Sequence, residues 1–301
     1  MTLPKPLTIR EAYLQASSFL ADHLVNDPAI CAEIMLQKLL QLDRTTLLLN
    51  WERAFPEEHG DVWRQWVLRK AAGEPVQYIT GEQEFYGLTF QVTPAVLIPR
   101  PETELLVEAI VRKGKERWAP TDQPLAVDIG TGSGAIIATL VSQCPSWKGW
   151  AVDLSGEALL VAQSNARRLG VADRIEWLHG DLLKPVLALQ QHQEPKQKVN
   201  ILVSNPPYIT TEEMKHLQRE VAEHEPVLAL HGGQDGMDSY RQLIADMRLL
   251  PELPELIGFE VGHEQAEAVA SLLDGEKGWG QIEIVKDLAG ISRHVLAYDL
   301  R

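Results

Sequence analysis

The sequence is poor in cysteine, in basic side chains and in long apolar runs. Its 301 residues include only two cysteines, Cys31 and Cys144, so neither a disulfide framework nor a cysteine-rich zinc site is expected. No apolar run approaches the ~20 residues that span a bilayer, and the N-terminus lacks the apolar core of a signal peptide. We therefore expect a cytoplasmic protein with reduced thiols and no membrane contact.

Acidic side chains outnumber basic ones by 42 to 28, which gives a net charge of −14 with histidine neutral. Duplex affinity comes mostly from lysine and arginine side chains that neutralise phosphates, so this balance argues against direct nucleic-acid binding. Hydrophobic residues make up 45% of the chain and charged residues 23%, as in an ordinary globular protein. The length suits two domains.

The N-terminal part of the sequence has the periodicity of helices. Thr8 and Glu11 have the spacing of a capping box at the start of a first helix. In the second predicted helix, Ile30, Ile34 and Leu39 form an apolar stripe, which we assign to the core of a bundle. No titratable cluster here suggests chemistry, so residues 1–75 are predicted to be a helical bundle.

The pattern changes after this bundle. Residues 76–101 contain an alternating segment around Gly87, followed by several prolines, and are predicted to form a hairpin and linker. Strands and helices alternate from residue 125 onward, which is the pattern of a doubly wound α/β sheet. The predicted strands are Leu125–Ile129, Trp150–Asp153, Arg174–Leu178, Val199–Ser204 and Ile257–Val261, followed by Gln281–Lys286 and His294–Tyr298 as a closing antiparallel hairpin.

A glycine-rich turn, V-D-I-G-T-G-S-G at 127–134, lies where the first of these strands meets a helix. Gly130, Gly132 and Gly134 allow a sharp turn and a close backbone approach to a ligand. Asp153, at the end of the next strand, is placed to accept hydrogen bonds from both hydroxyls of a ribose. The combination indicates an adenosine-containing cofactor without choosing between a dinucleotide and S-adenosylmethionine.

Asp181 follows the third strand in H-G-D-L-L, where it would bond the adenine amino group while Leu182 covers the ring. This signal is weaker, because an aspartate after a strand commonly forms a turn or a helix cap.

The motif S-N-P-P-Y, residues 204–208, comes directly after the fourth and nearly all-apolar strand. Asn205 offers a side-chain oxygen, and Pro206 offers a carbonyl but no amide hydrogen. Two acceptors fixed at one point match the two hydrogens of a planar NH2 group, and Tyr208 supplies an aromatic face beside it. This arrangement suits methyl transfer onto an amide or an aromatic amine.

Together these motifs make the chain similar to the release factor glutamine methyltransferases, the PrmC/HemK family of class I S-adenosylmethionine enzymes. The resemblance runs from about Gly73 to the C-terminus, whereas residues 1–72 match only in helical character. The segments that carry it are GEPVQYITG (73–81), FYGLTFQV (85–92), LIPRPETE (97–104), VDIGTGSG (127–134), SNPPYI (204–209), ALHGGQDGMDSYR (229–241), FEVGHEQAEAV (259–269) and DLAGISR (287–293).

The resemblance implies a class I methyltransferase domain over residues 102–301 and docking of a partner by the helical N-terminal domain. The methyl group of S-adenosyl-L-methionine would go to the glutamine of the Gly-Gly-Gln motif of peptide chain release factors, in support of translation termination and without a metal. Residues implied in cofactor binding are Gly130, Thr131, Gly132, Ser133, Gly134, Asp153 and Leu182, to which we add Asp181 and Asn205. Residues implied in binding the substrate amide are Asn205, Pro206, Pro207 and Tyr208, of which Asn205, Pro206 and Tyr208 are the expected catalytic residues.

Three other interpretations compete with this one. Methylation of the adenine amino group in nucleic acid needs the same NH2 clamp but is disfavoured by the negative charge. A nicotinamide-dependent oxidoreductase explains the glycine-rich turn and leaves the NPPY segment without a purpose. A non-catalytic binding module would not need the turn, Asp153 and NPPY together.

Two further segments are assigned to the scaffold. Residues 232–234 read Gly-Gly-Gln, like the expected substrate, but we interpret them as a loop of the enzyme itself and expect no methylation of Gln234. The LIPRPETE segment is expected to support the cofactor site without catalysing the reaction.

Overall fold

The computed structural model describes residues 5–192 and 196–301. Its residues form two compact units. The first consists of Met1–Glu82 with Gln218–His224, and the second of Gln83–Leu217 with Glu225–Arg301. Within the described ranges, no helix is both long and apolar enough to cross a membrane.

The helices and strands follow one another in the order expected for an α/β protein with a helical N-terminal part. The helices are α1 (Ile9–Asp22), α2 (Pro28–Leu40), α3 (Arg44–Leu49), α4 (Gly60–Ala71), α5 (Val76–Thr80), α6 (Pro101–Arg117), α7 (Ala135–Gln143), α8 (Gly156–Arg168), α9 (Lys184–His192), α10 (Arg219–His224), α11 (Asp238–Met247) and α12 (Ala266–Gly275). The strands are β1 (Glu82–Phe85), β2 (Leu88–Gln91), β3 (Leu125–Ile129), β4 (Lys148–Asp153), β5 (Ile175–His179), β6 (Ile201–Ser204), β7 (Leu256–Glu260), β8 (Trp279–Lys286) and β9 (Ser292–Leu300).

The first unit is a helical bundle whose first helix begins as predicted. The Thr8 hydroxyl accepts a hydrogen bond from the Glu11 amide at 3.1 Å, and the Glu11 carboxylate accepts one from the Leu7 amide at 2.7 Å. Both bonds satisfy amide hydrogens at the start of α1 that have no partner within the helix. The return bond reaches one residue further back than in the usual capping box.

The predicted core stripe of α2 is wrong for Ile30 and Ile34, whereas its third residue, Leu39, is half-buried against the bundle core. The side chains of Ile30 and Ile34 are 57% and 36% exposed, and the buried face of α2 is formed by Cys31, Ala32, Met35 and Leu36. Because α2 packs against several other helices, its inward face is set by the bundle and not by its largest side chains. An apolar pair at helical spacing therefore faces away from the bundle core.

Residues 218–224 join the first unit, although the sequence assigns them to the methyltransferase domain. Lys70 in α4 is only 1% exposed, and its ammonium pairs with Glu220 of α10 at 2.5 Å and donates to the Glu74 carbonyl at 3.3 Å. A buried charge needs such partners, so α10 supplies a carboxylate that the N-terminal segment lacks at this position. The expected hairpin and linker over 76–101 also starts differently, because α5 precedes the pair β1 and β2.

The second unit has a seven-stranded sheet in the order β5-β4-β3-β6-β7-β9-β8. The pairs β3–β4, β4–β5, β3–β6 and β6–β7 are parallel, while β9 pairs antiparallel with both β7 and β8, which confirms the predicted closing hairpin. Alternate residues of the buried strands β3 and β6 belong to two separate hydrophobic clusters, so helices cover both faces. The sheet is doubly wound, as predicted.

Candidate active site

The glycine-rich turn and the NPPY segment begin side by side at the point where the strand order reverses. From β3 the chain proceeds outward to β4 and β5, then returns to the other side of β3 with β6 and β7. Ile129 and Ser204 are register partners, and the Ser204 hydroxyl donates to the Ile129 carbonyl at 2.7 Å. Gly130 and Asn205 follow these two residues. Ligands of open α/β sheets bind at this kind of crevice.

The three glycines of the turn have different tasks. All have left-handed backbone conformations, with φ of 71° at Gly130, 54° at Gly132 and 80° at Gly134. A Cβ atom at Gly130 or Gly132 would meet no other atom within 4 Å, whereas one at Gly134 would lie 3.1 Å from the Ala162 Cβ atom of α8. The first two leave open space beside the backbone, as an adenosine-containing ligand requires, and the third permits close packing.

Asp153 combines a fixed position with remaining acceptor capacity. Its two carboxylate oxygens accept hydrogen bonds from the amides of Gly132 and Ser155, each at 2.8 Å. Burial raises the pKa of Asp153, while these hydrogen bonds oppose the rise. A carboxylate has about four lone-pair sites, so each oxygen of Asp153 keeps acceptor capacity beyond these two hydrogen bonds.

The hydroxyl-bearing residues of the turn stabilise its backbone. The Thr131 hydroxyl donates to buried Asp128 at 2.7 Å, and the Ser133 carbonyl accepts from Asn165 of α8 at 2.9 Å. Burial raises the pKa of Asp128 to about 7. Asp128 was not identified as a site residue from the sequence, although it is an acid inside an otherwise apolar strand.

Asp181 and Leu182 lie after β5, where they were placed by the sequence. The Asp181 carboxylate is paired with Lys184 at 2.6 Å, so one of its oxygens already has a partner. Leu182 has a φ of 49°, which is unfavourable for a bulky side chain and is retained where the surrounding structure requires it. Its side chain is half-buried and packs against the cluster of hydrophobic residues on one face of the sheet.

Asn205 is held from behind by helix α6. Its Nδ2 atom donates to the hydroxyl of Thr103 at 3.2 Å, which leaves Oδ1 as the acceptor of the side chain. The neighbouring Pro206 is buried, and its carbonyl is the second acceptor predicted for the clamp. Thr103 was not identified as a site residue from the sequence, although it belongs to the PETE letters of the LIPRPETE segment.

Tyr208 is fixed through its backbone. The Gln265 side chain donates to the Tyr208 carbonyl at 2.9 Å and accepts from the Gly262 amide at 3.0 Å, so the VGHEQ letters of the family resemblance tie the NPPY segment to the end of β7. Burial raises the pKa of Tyr208 to about 12. Its hydroxyl is therefore protonated at neutral pH and is no general base.

The internal Gly-Gly-Gln tripeptide supports the same segment. The Gly232 amide donates to the Ile209 carbonyl at 2.9 Å, and a Cβ atom at Gly232 would lie 2.5 Å from the Pro207 carbonyl oxygen. No side chain fits at position 232 without moving the NPPY backbone. Gln234 is exposed on this loop.

A buried acid lies behind Thr103. The Thr103 hydroxyl donates to Glu260 of β7 at 2.6 Å, and Tyr240 donates to the Glu260 carbonyl at 2.7 Å. Burial raises the pKa of Glu260 to about 7, against the hydrogen bond from Thr103. His294, opposite Glu260 on β9, approaches it at 3.9 Å, and burial lowers the pKa of His294 to about 4.

Other letters of the LIPRPETE segment make structural contacts, as expected. Arg100 pairs with buried Glu225 at 2.5 Å, and Glu104 accepts a hydrogen bond from the Tyr86 amide in the β1–β2 turn at 2.9 Å. Among the residues that the structure describes, no group of three or more histidine, cysteine, aspartate or glutamate side chains is placed to hold a metal ion.

Comparisons with known proteins identify the family of each part of the chain. Residues 11–81 match the model of the PrmC N-terminal domain, which extends the family resemblance into the part where the sequence showed only helices, and residues 126–224 match a methyltransferase domain. The release factor glutamine methyltransferase of Moorella thermoacetica is 41% identical over 97% of this chain and 99% of its own. That of Bacillus subtilis is 37% identical over 96% and 97%. The N-terminal domain of human METTL16 in complex with SAH, at 14% identity and a TM-score of 0.52 over 94% of each chain, shares the fold.

Proposed function

The chain belongs to the family of release factor glutamine methyltransferases, and from this membership we propose how its residues carry out the reaction. The enzyme transfers a methyl group from S-adenosylmethionine to the side-chain amide nitrogen of a glutamine in peptide chain release factors. We assign the target to the glutamine of their Gly-Gly-Gln motif, whose methylation would support translation termination. The observation that supports the proposal is the pairing of Ile129 with Ser204, which brings the glycine-rich turn and the NPPY segment side by side.

The cofactor would lie over the open backbone of Gly130 and Gly132. There Asp153 would accept hydrogen bonds from the ribose hydroxyls, since each of its oxygens keeps acceptor capacity. Leu182 would cover the adenine ring, and Asp181 would bond the adenine amino group through the oxygen not paired with Lys184. When bound, S-adenosylmethionine supplies a methyl group on a sulfonium sulfur, which keeps the electron pair of the broken S–C bond.

The substrate amide would be held by acceptors alone. Asn205 Oδ1 and the Pro206 carbonyl would each accept one hydrogen of the NH2 group, and the Tyr208 ring would lie beside its plane. These contacts favour nitrogen lone-pair density directed at the methyl carbon, which compensates for the low nucleophilicity of an amide. Pro207 would keep the backbone of the clamp extended, because its ring fixes φ.

No side chain of the clamp takes the proton. Asn205 and the prolines do not titrate, and the raised pKa of Tyr208 keeps its hydroxyl protonated. Glu260 is hydrogen-bonded to Thr103 and to the side chain of Asn205, so it would reach the substrate amide only through the clamp. We therefore propose that the nitrogen loses its proton to solvent once the new N–CH3 bond has formed.

Methylation of adenine in nucleic acid is not favoured. Relatives that match this chain over nearly its full length are curated as enzymes acting on release factors, and the net charge of −14 opposes binding to phosphates. The resemblance to human METTL16 shows the shared fold only.

We further propose that the first unit docks the release factor, which is a cytoplasmic partner because translation takes place there. Support comes from α2, where Ile30 and Ile34 form an exposed apolar pair one helical turn apart. Such a pair suits an apolar patch on a folded protein, since aliphatic side chains at a protein interface gain free energy when water is excluded.

The experiment uses S-adenosylmethionine with a labelled methyl group. The protein is incubated with intact release factor, with adenine-containing DNA, or with neither, and the labelled residue is located by mass spectrometry. Label on the Gly-Gly-Gln glutamine of the release factor is expected. Label on DNA, or on the enzyme's own Gln234, would contradict the proposal, and a Gln234→Ala variant with unchanged transfer is the control for self-methylation.

A further inference from the structure

We propose that Thr103 and Glu260 are positioning residues that fix the direction of the Asn205 side-chain amide, so that Oδ1 and not Nδ2 faces the substrate. The inference rests on the proposed function, because it explains how the amide clamp presents two acceptors. An asparagine amide is nearly symmetric in shape, so its direction is determined by the hydrogen bonds it makes. If the Asn205 amide were reversed, its NH2 would face the NH2 group of the substrate glutamine. Two donors would then meet, and no hydrogen bond could form.

The direction follows from the order of donors in the chain Asn205–Thr103–Glu260. An ionised carboxylate only accepts hydrogen bonds, so the contact of 2.6 Å between Thr103 Oγ1 and Glu260 Oε2 uses the single hydrogen of the hydroxyl. Toward Asn205, at 3.2 Å, Thr103 is then left with lone pairs alone. The atom of Asn205 that faces it must be the donor Nδ2, and Oδ1 is turned the other way.

The end of this chain is rigid. Glu260 is 2% exposed on the fully buried strand β7, and Tyr240 of α11 holds its carbonyl. Thr103 belongs to the first turn of α6, which Pro101 starts at a fixed φ. Both partners are therefore parts of regular elements, which position a side chain more accurately than a loop would.

Burial disfavours the charged form of Glu260, so a carboxylate at this position is unfavourable for stability. This cost suggests that the acid has a functional role. Besides Thr103, the Asn205 side chain is hydrogen-bonded to the Glu260 carboxylate, so Glu260 also favours the direction in which Nδ2 points away from the substrate. The titratable and charged groups that face Glu260 are Glu102 of α6, Tyr208 of the clamp, Tyr240 of α11, and Arg293 and His294 of β9. Of these, Arg293 favours the carboxylate, Glu102 opposes it, and His294 is kept neutral by its own burial. A buried acid without a full ion-pair partner beside a clamp is the kind of group found at functional sites.

Protonation of Glu260 would release this constraint. A neutral carboxyl donates its own hydrogen to Thr103, which frees the Thr103 hydroxyl hydrogen to point at Asn205. The amide would then turn its oxygen toward Thr103 and its NH2 toward the substrate, where it would repel the hydrogens of glutamine. Methyl transfer should therefore fall on the acidic side of a transition near pH 7, the value to which burial raises the pKa of Glu260.

The first test compares Thr103→Val, Thr103→Ser and the wild type in methylation of intact release factor. Valine removes the hydroxyl at nearly constant volume, so kcat should fall about 10- to 100-fold, less than the factor of about 100 to 1,000 for loss of a contact made directly to the substrate, with little change in the KM for S-adenosylmethionine. Serine keeps the hydroxyl and should restore most of the rate. Thr139→Val is the matched control, because Thr139 is equally buried but donates to the Ala135 carbonyl within α7.

The second test uses Glu260→Gln and does not depend on activity alone. Its amide oxygen still accepts from Thr103, so transfer at pH 8 should stay within a few-fold of the wild type while the acidic transition disappears. In parallel, the side-chain NH2 resonance of Asn205 in the labelled full chain should shift near pH 7 in the wild type and not in Glu260→Gln.

The outcomes separate this inference from the proposed function. The positioning role would be overturned by wild-type kinetics in Thr103→Val or by an acidic transition that persists in Glu260→Gln. It would also be overturned by an Asn205 resonance that responds neither to pH near 7 nor to the Glu260→Gln substitution. Absence of transfer by the wild-type protein would instead overturn the proposed function, and the Asn205 resonance would still decide whether Thr103 and Glu260 hold the amide.

Discussion

Gly232 and Tyr208 lie so close that a Cβ atom on Gly232 would be 2.7 Å from the Tyr208 Cα atom. The same atom would lie 2.5 Å from the Pro207 carbonyl oxygen. Both neighbours are backbone atoms, which cannot rotate away as the end of a side chain does. The loop around Gly232 therefore packs directly against the backbone of the NPPY segment, and we expect the shape of the proposed clamp to depend on this glycine.

Gly232→Ala should displace the clamp. We expect a loss of about 1–3 kcal/mol in the free energy of unfolding, as for other overpacked sites, together with at least a tenfold fall in kcat. Urea unfolding and steady-state methylation measure the two effects. Gly275→Ala is the control, since a Cβ atom there meets nothing within 4 Å, and it should keep full activity. Equal activity of the two variants would show that the clamp does not depend on Gly232.

Asp153→Asn should weaken binding of S-adenosylmethionine. The change keeps the shape of the side chain but removes its charge and one acceptor oxygen, which corresponds to about 1.5–3 kcal/mol of binding free energy. Titration calorimetry gives this quantity directly. Asp122→Asn, at an exposed turn where the carboxylate accepts from the Ala119 amide, should bind normally. Unchanged affinity in Asp153→Asn would remove Asp153 from the ribose site.

Asn205→Ala should separate chemistry from cofactor binding. Loss of one preorganised acceptor lowers kcat by a factor of about 100 to 1,000, whereas affinity for S-adenosylmethionine should change much less. Both quantities are measured on the same purified variant, with its fold checked by thermal unfolding. Near-normal transfer to the release factor glutamine would refute the acceptor clamp.

Glu260→Gln should change how stability depends on pH. Because the pKa of Glu260 is raised from 4.5 to about 7, the folded protein binds more protons than the unfolded chain between these values. The contribution of Glu260 to stability is thus complete below pH 4.5 and is lost as the pH rises through 7, by about 3 kcal/mol in total. The Tm of Glu260→Gln relative to wild type should rise between pH 5 and pH 8.

Glu283→Gln provides the control of opposite sign. Burial acts to raise the pKa of Glu283, but hydrogen bonds from Tyr298 and Lys113 outweigh it and lower the pKa. The stability that Glu283 contributes is therefore present at neutral pH and lost in acid, so this variant should lose Tm relative to wild type as the pH rises through the acidic range. Parallel curves for the two variants would contradict the assignment of Glu260.

Ile30→Lys and Ile34→Lys should weaken docking of the release factor. A lysine keeps part of the apolar stem but places a charge in an interface, so the KM for intact release factor should rise about tenfold, with an unchanged KM for S-adenosylmethionine. Leu160→Lys, at a leucine of α8 that is 66% exposed in the second unit, is the control. A normal KM in both isoleucine variants would place docking elsewhere.

The fold could be predicted largely from the sequence because its signals are local. The limits of β3 were predicted to the residue, and the closing hairpin was identified, because buried strands and turn residues leave direct traces in the letters. The prediction of the inward face of α2 was wrong for Ile30 and Ile34 because this feature is not local. Which side of a helix is buried depends on its neighbours, and Ile30 and Ile34 carry no mark that distinguishes a core stripe from an exposed one.

The site was predictable only where one motif carries one task. The glycine-rich turn and the NPPY segment each indicate a function by themselves, and their proximity follows from the order of the strands that precede them. Thr103 and Glu260 could not be assigned, since they are 157 residues apart and act through contacts between α6 and β7 that no spacing reveals. Thr103 lies in the PETE segment and Glu260 in the FEVG segment, but the sequence does not show that the two side chains are in contact.

Lys70 pairs with Glu220, and residues 218–224 belong to the first unit. All residues of this unit are therefore present only after residue 224 has been synthesised. While only the N-terminal segment has been synthesised, the carboxylate of Glu220 does not yet exist. Lys70 of α4 then lacks the partner that compensates for burying its charge. We therefore expect the helical unit to be less stable when it is cut off at residue 82 than when residues 218–224 are present. Any chimera that exchanges it between relatives must carry residues 218–224 from the same parent, or it will join a buried lysine to a foreign partner.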